Sequence, residues 1–125
     1  MLVTAGATTS TARLVVDELR ERGVPAGLLR LRLFRPFPVA EMRRLLHGAA
    51  KLAVIDRNIS FGLGGILAAE IKSALFGQPH EPVLFDFIAG LGGRDITPAS
   101  IRGIVDYVMA HDAPPEPAIW WEVRS

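Results

Sequence analysis

Four times along this chain a short apolar run gives way, through a turn, to a segment with apolar residues at helical spacing. That rhythm constrains the fold more than any other feature. Strands that alternate with amphipathic helices close as a parallel sheet covered by helices on both faces. The first run, Leu2–Ala5, stops at Gly6, and Thr8, Thr9 and Ser10 offer helix N-caps before Ala12, Val15, Val16 and Leu19 recur on one helical face. Gly23 and Pro25 end that helix. The second run, Gly27–Phe34, alternates: Leu29, Leu31 and Leu33 share one face, while Arg30 and Arg32 interrupt the other. Two arginines on one face predict an edge or near-edge strand. After the break at Arg35-Pro-Phe-Pro38, Val39, Met42, Leu45 and Leu46 predict a helix that ends near Gly48.

The third run, Leu52–Ile55, is of the fully buried type and leads into Asp56-Arg57 and a loop from Asn58 to Gly65. The helix predicted over Ile66–Phe76 has so few polar residues that cover on more than one side is expected. Val83–Ile88 is the fourth strand, with Asp86 at its middle. Thr97 as N-cap and Pro98 as first residue open the last helix, which turns Ile101, Ile104, Val105 and Val108 inward. The expected architecture is a three-layer α/β/α domain over residues 1–112, with a mainly parallel sheet of four to five strands. A Pro-rich tail, 113–125, follows, and its Ile119–Val123 stretch is expected to pair on an exposed edge or to swap onto a neighbouring copy.

Composition narrows the function. The chain's 125 residues suffice for one domain, and half of them are apolar. A domain this small cannot bury so much apolar surface, which points to a partner surface or to a piece of something larger. A net charge of +1 gives no electrostatic case for nucleic acid or an anionic membrane. The absence of cysteine excludes disulfides, thiol catalysis and cysteine ligation of an iron–sulfur cluster by this chain. No apolar run reaches membrane-spanning length and no signal peptide is recognisable, so the cytoplasm is the expected location.

Glycine-rich loops are the candidates for chemistry. Gly90-Leu-Gly92 matches half of a dinucleotide fingerprint, but the third glycine position holds Asp95, whose carboxylate would repel a pyrophosphate. Gly62-Leu-Gly64 fails likewise at Leu67. The other reading is structural: Asp56, Arg57, Arg94 and Asp95 meet on the carboxyl rim of the sheet as an ion-pair network. His47, His80 and His111 have no metal-site spacing, and Ser10 and Ser60 sit in no nucleophile elbow. No catalytic, cofactor-binding or metal-binding residue is assigned from the residues.

Three stretches taken together carry a resemblance. "LRLRLFRPFP" (Leu28–Pro38), "VIDRNISFGLGG" (Val54–Gly65) and "FIAGLGGRDITP" (Phe87–Pro98) are similar, in order and spacing, to the α-subunit region of 2-oxoacid:ferredoxin oxidoreductases. The match is to the pyruvate:ferredoxin oxidoreductase (pyruvate synthase) family, in its transketolase C-terminal-like domain. The resemblance implies a parent enzyme that oxidatively decarboxylates a 2-oxoacid with thiamine diphosphate, iron–sulfur clusters and coenzyme A, and passes electrons to ferredoxin. It implies that this domain is accessory and packs against thiamine-binding domains or subunits. The strand order would run second, first, third, fourth. Such domains carry one more antiparallel strand before the first one here, so a trimmed piece or natural fragment is expected, with Gly27–Phe34 as its open edge.

That order puts the sheet's switch point between the first and third strands, where Gly6, Thr8, Thr9, Gly62 and Gly64 would form the crevice for any small anion. The interface is expected on Ile66 and Ile71 of the third helix and on Trp120 and Trp121. Two other readings stand beside this one: a free-standing Rossmann-like protein that binds a nucleotide or coenzyme A, and a homo-oligomeric scaffold without a ligand.

Overall fold

The structure, a computed structural model, describes residues 1–5, 8–31, 39–56, 59–60, 64–79, 81–89, 96–115 and 118–121. The elements are β1 (Leu2–Ala5), α1 (Thr8–Glu21), β2 (Leu28–Leu31), α2 (Val39–Leu46), β3 (Lys51–Asp56), β4 (Ile59–Ser60), β5 (Gly64–Gly65), α3 (Ile66–Leu75), β6 (Val83–Ile88), α4 (Pro98–Ala110) and β7 (Ile119–Trp120). Five strands make one sheet in the order β2-β1-β3-β6-β7, every pair parallel. The three-layer α/β/α architecture and the order of the four long strands agree with the sequence reading. The β4–β5 hairpin is new: Ile59 pairs with Gly65 and Ser60 with Gly64, antiparallel, within a stretch read from sequence as loop.

Alternation along β3 explains the layers. Ala53 and Ile55 face a core built with α1 and α4, where Val15, Val16, Ile101 and Ile104 meet Phe85 and Phe87. Leu52 and Val54 face the other core, against Met42 and Leu46 of α2 and Leu67, Ala68 and Ile71 of α3. A strand buried on both faces needs apolar residues at successive positions, and β3 is buried from Leu52 to Asp56. β2 is an edge strand with Arg30 exposed, as its arginines predict. Arg32 lies outside the described residues.

Local signals set the helix limits. Gly23, Gly48 and Gly77 follow the ends of α1, α2 and α3 with φ of 82°, 86° and 79°, left-handed values that glycine adopts without strain. Thr97 caps α4, its hydroxyl accepting from the Ser100 amide at 3.1 Å, with Pro98 in the first turn. The α3 stripe is one-sided among the described residues. Leu67, Ala68, Ile71, Ala74 and Leu75 are buried, Lys72 and Ser73 are exposed, and Phe76 just beyond the helix is 81% exposed.

Phe85 is fully buried at the centre of the α1–α4 core, stacked on Phe87 at 6.4 Å. Phe85→Ala is expected to cost about 3–5 kcal/mol of unfolding free energy. Urea denaturation followed by circular dichroism checks this.

Candidate functional site

The carboxyl ends of the strands form the rim where ligands of parallel α/β sheets sit, and the sheet's switch point lies between β1 and β3. On the β1 side, Thr4 and Thr9 are both buried, and their hydroxyls share a hydrogen bond of 2.9 Å. That bond ties the end of β1 to the first turn of α1. Thr9, expected in an anion crevice, is thus turned into the protein. Thr8 opens α1, and Gly64 pairs with Ser60 in the hairpin. Gly6 and Gly62 lie outside the described residues.

On the β3 side the buried Asp56 carboxylate straddles the start of α3. Its Oδ1 accepts from the Leu67 amide at 3.0 Å and its Oδ2 from the Ala68 amide at 3.1 Å. A helix N-terminus presents unpaired amides and a partial positive charge, and a carboxylate supplies what both need. The α3 side of the crevice therefore already holds an anion, one built into the chain. Asp56 was expected in an ion-pair network with Arg57, Arg94 and Asp95. Those three lie outside the described residues, and the partners found for Asp56 are backbone amides.

Asp86 faces the same side of the sheet as Asp56. It stands opposite Val54 in register, two residues before the strand position of Asp56, and is buried. Burial pushes the Asp56 carboxyl up to about 6; the two amide bonds pull it down, and Asp86 adds a smaller upward push. Removal from water therefore outweighs the helix terminus.

Sequence reasoning missed the matching devices at the other helix ends. Lys51, at the start of β3, donates from Nζ to the carbonyls of Val108 at 3.0 Å and His111 at 2.7 Å, at the end of α4. Arg43 of α2 donates from Nε to the Ala74 carbonyl at 2.7 Å, in the last turn of α3. Cations at helix C-termini satisfy carbonyls that lack intrahelical partners. The sequence signal for the first of these was a lysine opening a strand whose next four residues are apolar.

The interface expectations divide. Ile71 is fully buried between α3 and the sheet, so it packs the domain's own core and offers nothing to a partner. The reason is its spacing with Leu67, Ala68, Ala74 and Leu75, which places it at the centre of the buried stripe. Trp121 is half-buried, its ring edge-to-face with Phe87 at 5.6 Å and Tyr107 at 5.8 Å. Trp120 is 47% exposed. Ile66 is the first residue of α3. The exposed large apolar side chains available for contact include Leu14, Phe76, Met109 and Trp120.

Among the described residues no three histidines or carboxylates converge as a metal site. No described helix is long and apolar enough to cross a membrane. The α3 and α4 N-termini are taken by Asp56 and Thr97.

Fold and rim together define a parallel α/β domain whose rim carboxylate Asp56 is spent on the start of its own α3. Comparison with known proteins says which one: residues 1–101 match the family model of the pyruvate:ferredoxin oxidoreductase core domain II, and the chain belongs to that family. Pyruvate synthase subunit PorA of Methanothermobacter thermautotrophicus is 48% identical over 105 residues, covering 84% of this chain and 26% of that protein. PorA of Thermotoga maritima is 45% identical over 102 residues, 82% of this chain and 26% of that protein. Ketoisovalerate oxidoreductase subunit VorA of Pyrococcus furiosus is 42% identical over 101 residues, 81% of this chain and 26% of that protein. The chain spans about a quarter of the length of these relatives.

The raised Asp56 pKa has a signed consequence. The folded state holds this proton more tightly than the unfolded chain between pH 3.8 and about 6, so this group's contribution to stability falls as pH rises through that window. The full effect is about 3 kcal/mol. Asp56→Asn removes it, so the variant's stability relative to the parent should improve by up to about 3 kcal/mol from pH 4 to pH 7. Paired urea titrations across that range measure the difference, and parallel pH curves for the two proteins would refute the assignment.

Proposed function

We propose that this chain is the second core domain of the α subunit of a 2-oxoacid:ferredoxin oxidoreductase, and that it supplies contact area rather than chemistry. The observation that carries the reading is the 48% identity to a pyruvate synthase subunit over most of the chain. The parent would oxidise a 2-oxoacid with thiamine diphosphate, iron–sulfur clusters and coenzyme A, and pass electrons to ferredoxin. Relatives named for both pyruvate and ketoisovalerate leave the oxoacid to be read from the rest of the parent.

The residues here do not fit those groups. The chain has no cysteine to hold a cluster. A diphosphate needs an open amide cluster or a metal held by carboxylates; Asp56 already takes the start of α3 and Thr97 that of α4, and no described carboxylates converge as a metal site. No step of the reaction is therefore assigned to this chain. Its own part is to hold a fixed shape: the caps on α3 and α4 lock two helices against the sheet, so that the exposed apolar residues stand at set positions for a neighbouring domain. A free-standing nucleotide or coenzyme A binder gains no support from the relatives named above or from the described part of the rim.

Phe76 is the most exposed large apolar side chain described, at the end of the helix expected at the interface. A phenyl ring left in water here would gain from cover by a partner, which is the ground for placing the contact at this residue. In the full-length parent subunit, Phe76→Glu is expected to weaken co-purification of the partner subunits about tenfold, the loss from one well-placed contact residue. The melting curve of the present chain should change by no more than a surface substitution does, within about 0.5 kcal/mol. Unchanged assembly would remove this face from the interface.

A further inference from the structure

The family match ends at Ile101, and beyond it the chain builds a contact of its own. β7 lies along the outer edge of β6, with Ile119 opposite Phe87 and Trp120 opposite Ile88, and the Trp121 amide donates to the Ile88 carbonyl at 2.9 Å. Ile119 is buried in the α1–α4 core. The Trp121 ring fits beside α4 because residue 103 is glycine: a Cβ there would stand 2.9 Å from Trp121 Cζ2, closer than real contacts allow. Phe87 and Tyr107 supply the remaining walls, both edge-to-face.

The contact is specific but small. It amounts to two residues of ladder and one ring, and among the described residues the buried indole N–H finds no acceptor. So short a ladder opens locally far more easily than the sheet's long strands separate. The connection from Ala110 to Ile119 contains Pro114, Pro115 and Pro117. A proline-rich connection of this length spans roughly 25 Å when extended, enough to leave its own edge. A groove that takes a segment of its own chain presents the same contacts to that segment of another copy.

We propose that the groove between β6 and α4 is a strand-acceptor site whose ligand is the Ile119–Trp121 segment, seated in cis and exchangeable with that segment of a second copy of this chain. The groove reads its ligand in two ways. The β6 backbone recognises an extended strand, and the Gly103 notch recognises the ring two residues after the buried isoleucine. Its consequence is edge protection. β6 reads Val-Leu-Phe-Asp-Phe-Ile, a run that pairs with other strands when uncovered, whereas the opposite edge is blunted by the exposed Arg30.

The test uses the full chain and a fluorophore-tagged peptide spanning Ala113–Trp121. With Trp121→Ala, whose groove lacks its anchor, the peptide should bind saturably by fluorescence anisotropy. Binding to the unaltered chain, whose own strap competes, should be weaker by at least about tenfold. Binding should vanish with Gly103→Val/Trp121→Ala, where the notch is filled. No binding to a folded Trp121→Ala chain, or undiminished binding to the double variant, would overturn the proposal. Should Trp121→Ala unfold the chain, hydrogen exchange of the unaltered protein decides. The Trp121 amide should exchange about a hundredfold faster than the Ala89 amide, which bonds to Asp56 across β6 and β3, since local opening is far easier than global unfolding. Equal protection at the two amides would overturn exchange.

Discussion

Strand β3 carries one charge at each end, and each is committed to a helix terminus. Lys51 holds the final carbonyls of α4, and Asp56 holds the first amides of α3. Between them lie four apolar residues buried on both faces. The helix layers on the two sides of the sheet are thus tied to opposite ends of the same strand, one by a cation and one by an anion. The signs follow the direction of the helix dipole. The rest of the molecule hangs on that arrangement, because the two cores meet only through the sheet that β3 centres.

This arrangement also bears on chemistry. In parallel α/β domains, the rim next to β3 and α3 is where a ligand phosphate would meet helix amides. Here a carboxylate from the strand reaches them first, at the cost of a pKa displaced upward by burial. The same fold that elsewhere binds a cofactor is in this chain closed upon itself on the α3 side. That agrees with a family in which this unit is one core domain among others, spanning about a quarter of relatives named as enzyme subunits.

Much of this was legible in the sequence because the signals are local. The Thr97-Pro98 start of α4, the glycine ends of α1 and α2, and the Val83–Ile88 strand come from neighbouring residues alone. Asp56 was visible as a rim charge, but its role was not, since its partners lie eleven and twelve residues on and are backbone amides, which leave no mark in composition. Lys51 and Arg43 were missed for the same reason, their acceptors lying 57 and 31 residues away. Ile71 was misread because α3 is apolar on much of its surface, and the central buried stripe emerges only when its spacing is followed through Leu75. Gly103 carries no signal of its own in the sequence; its purpose appears only with Trp121 beside it.

The central claim is that this polypeptide gives shape to a larger oxidoreductase while the reactive groups reside elsewhere. The most direct measurement incubates the purified chain with pyruvate or a branched-chain 2-oxoacid, thiamine diphosphate, magnesium, coenzyme A and a viologen acceptor. The account predicts acceptor reduction indistinguishable from the blank at every chain concentration. Reduction that rises in proportion to the chain and requires the oxoacid would contradict it.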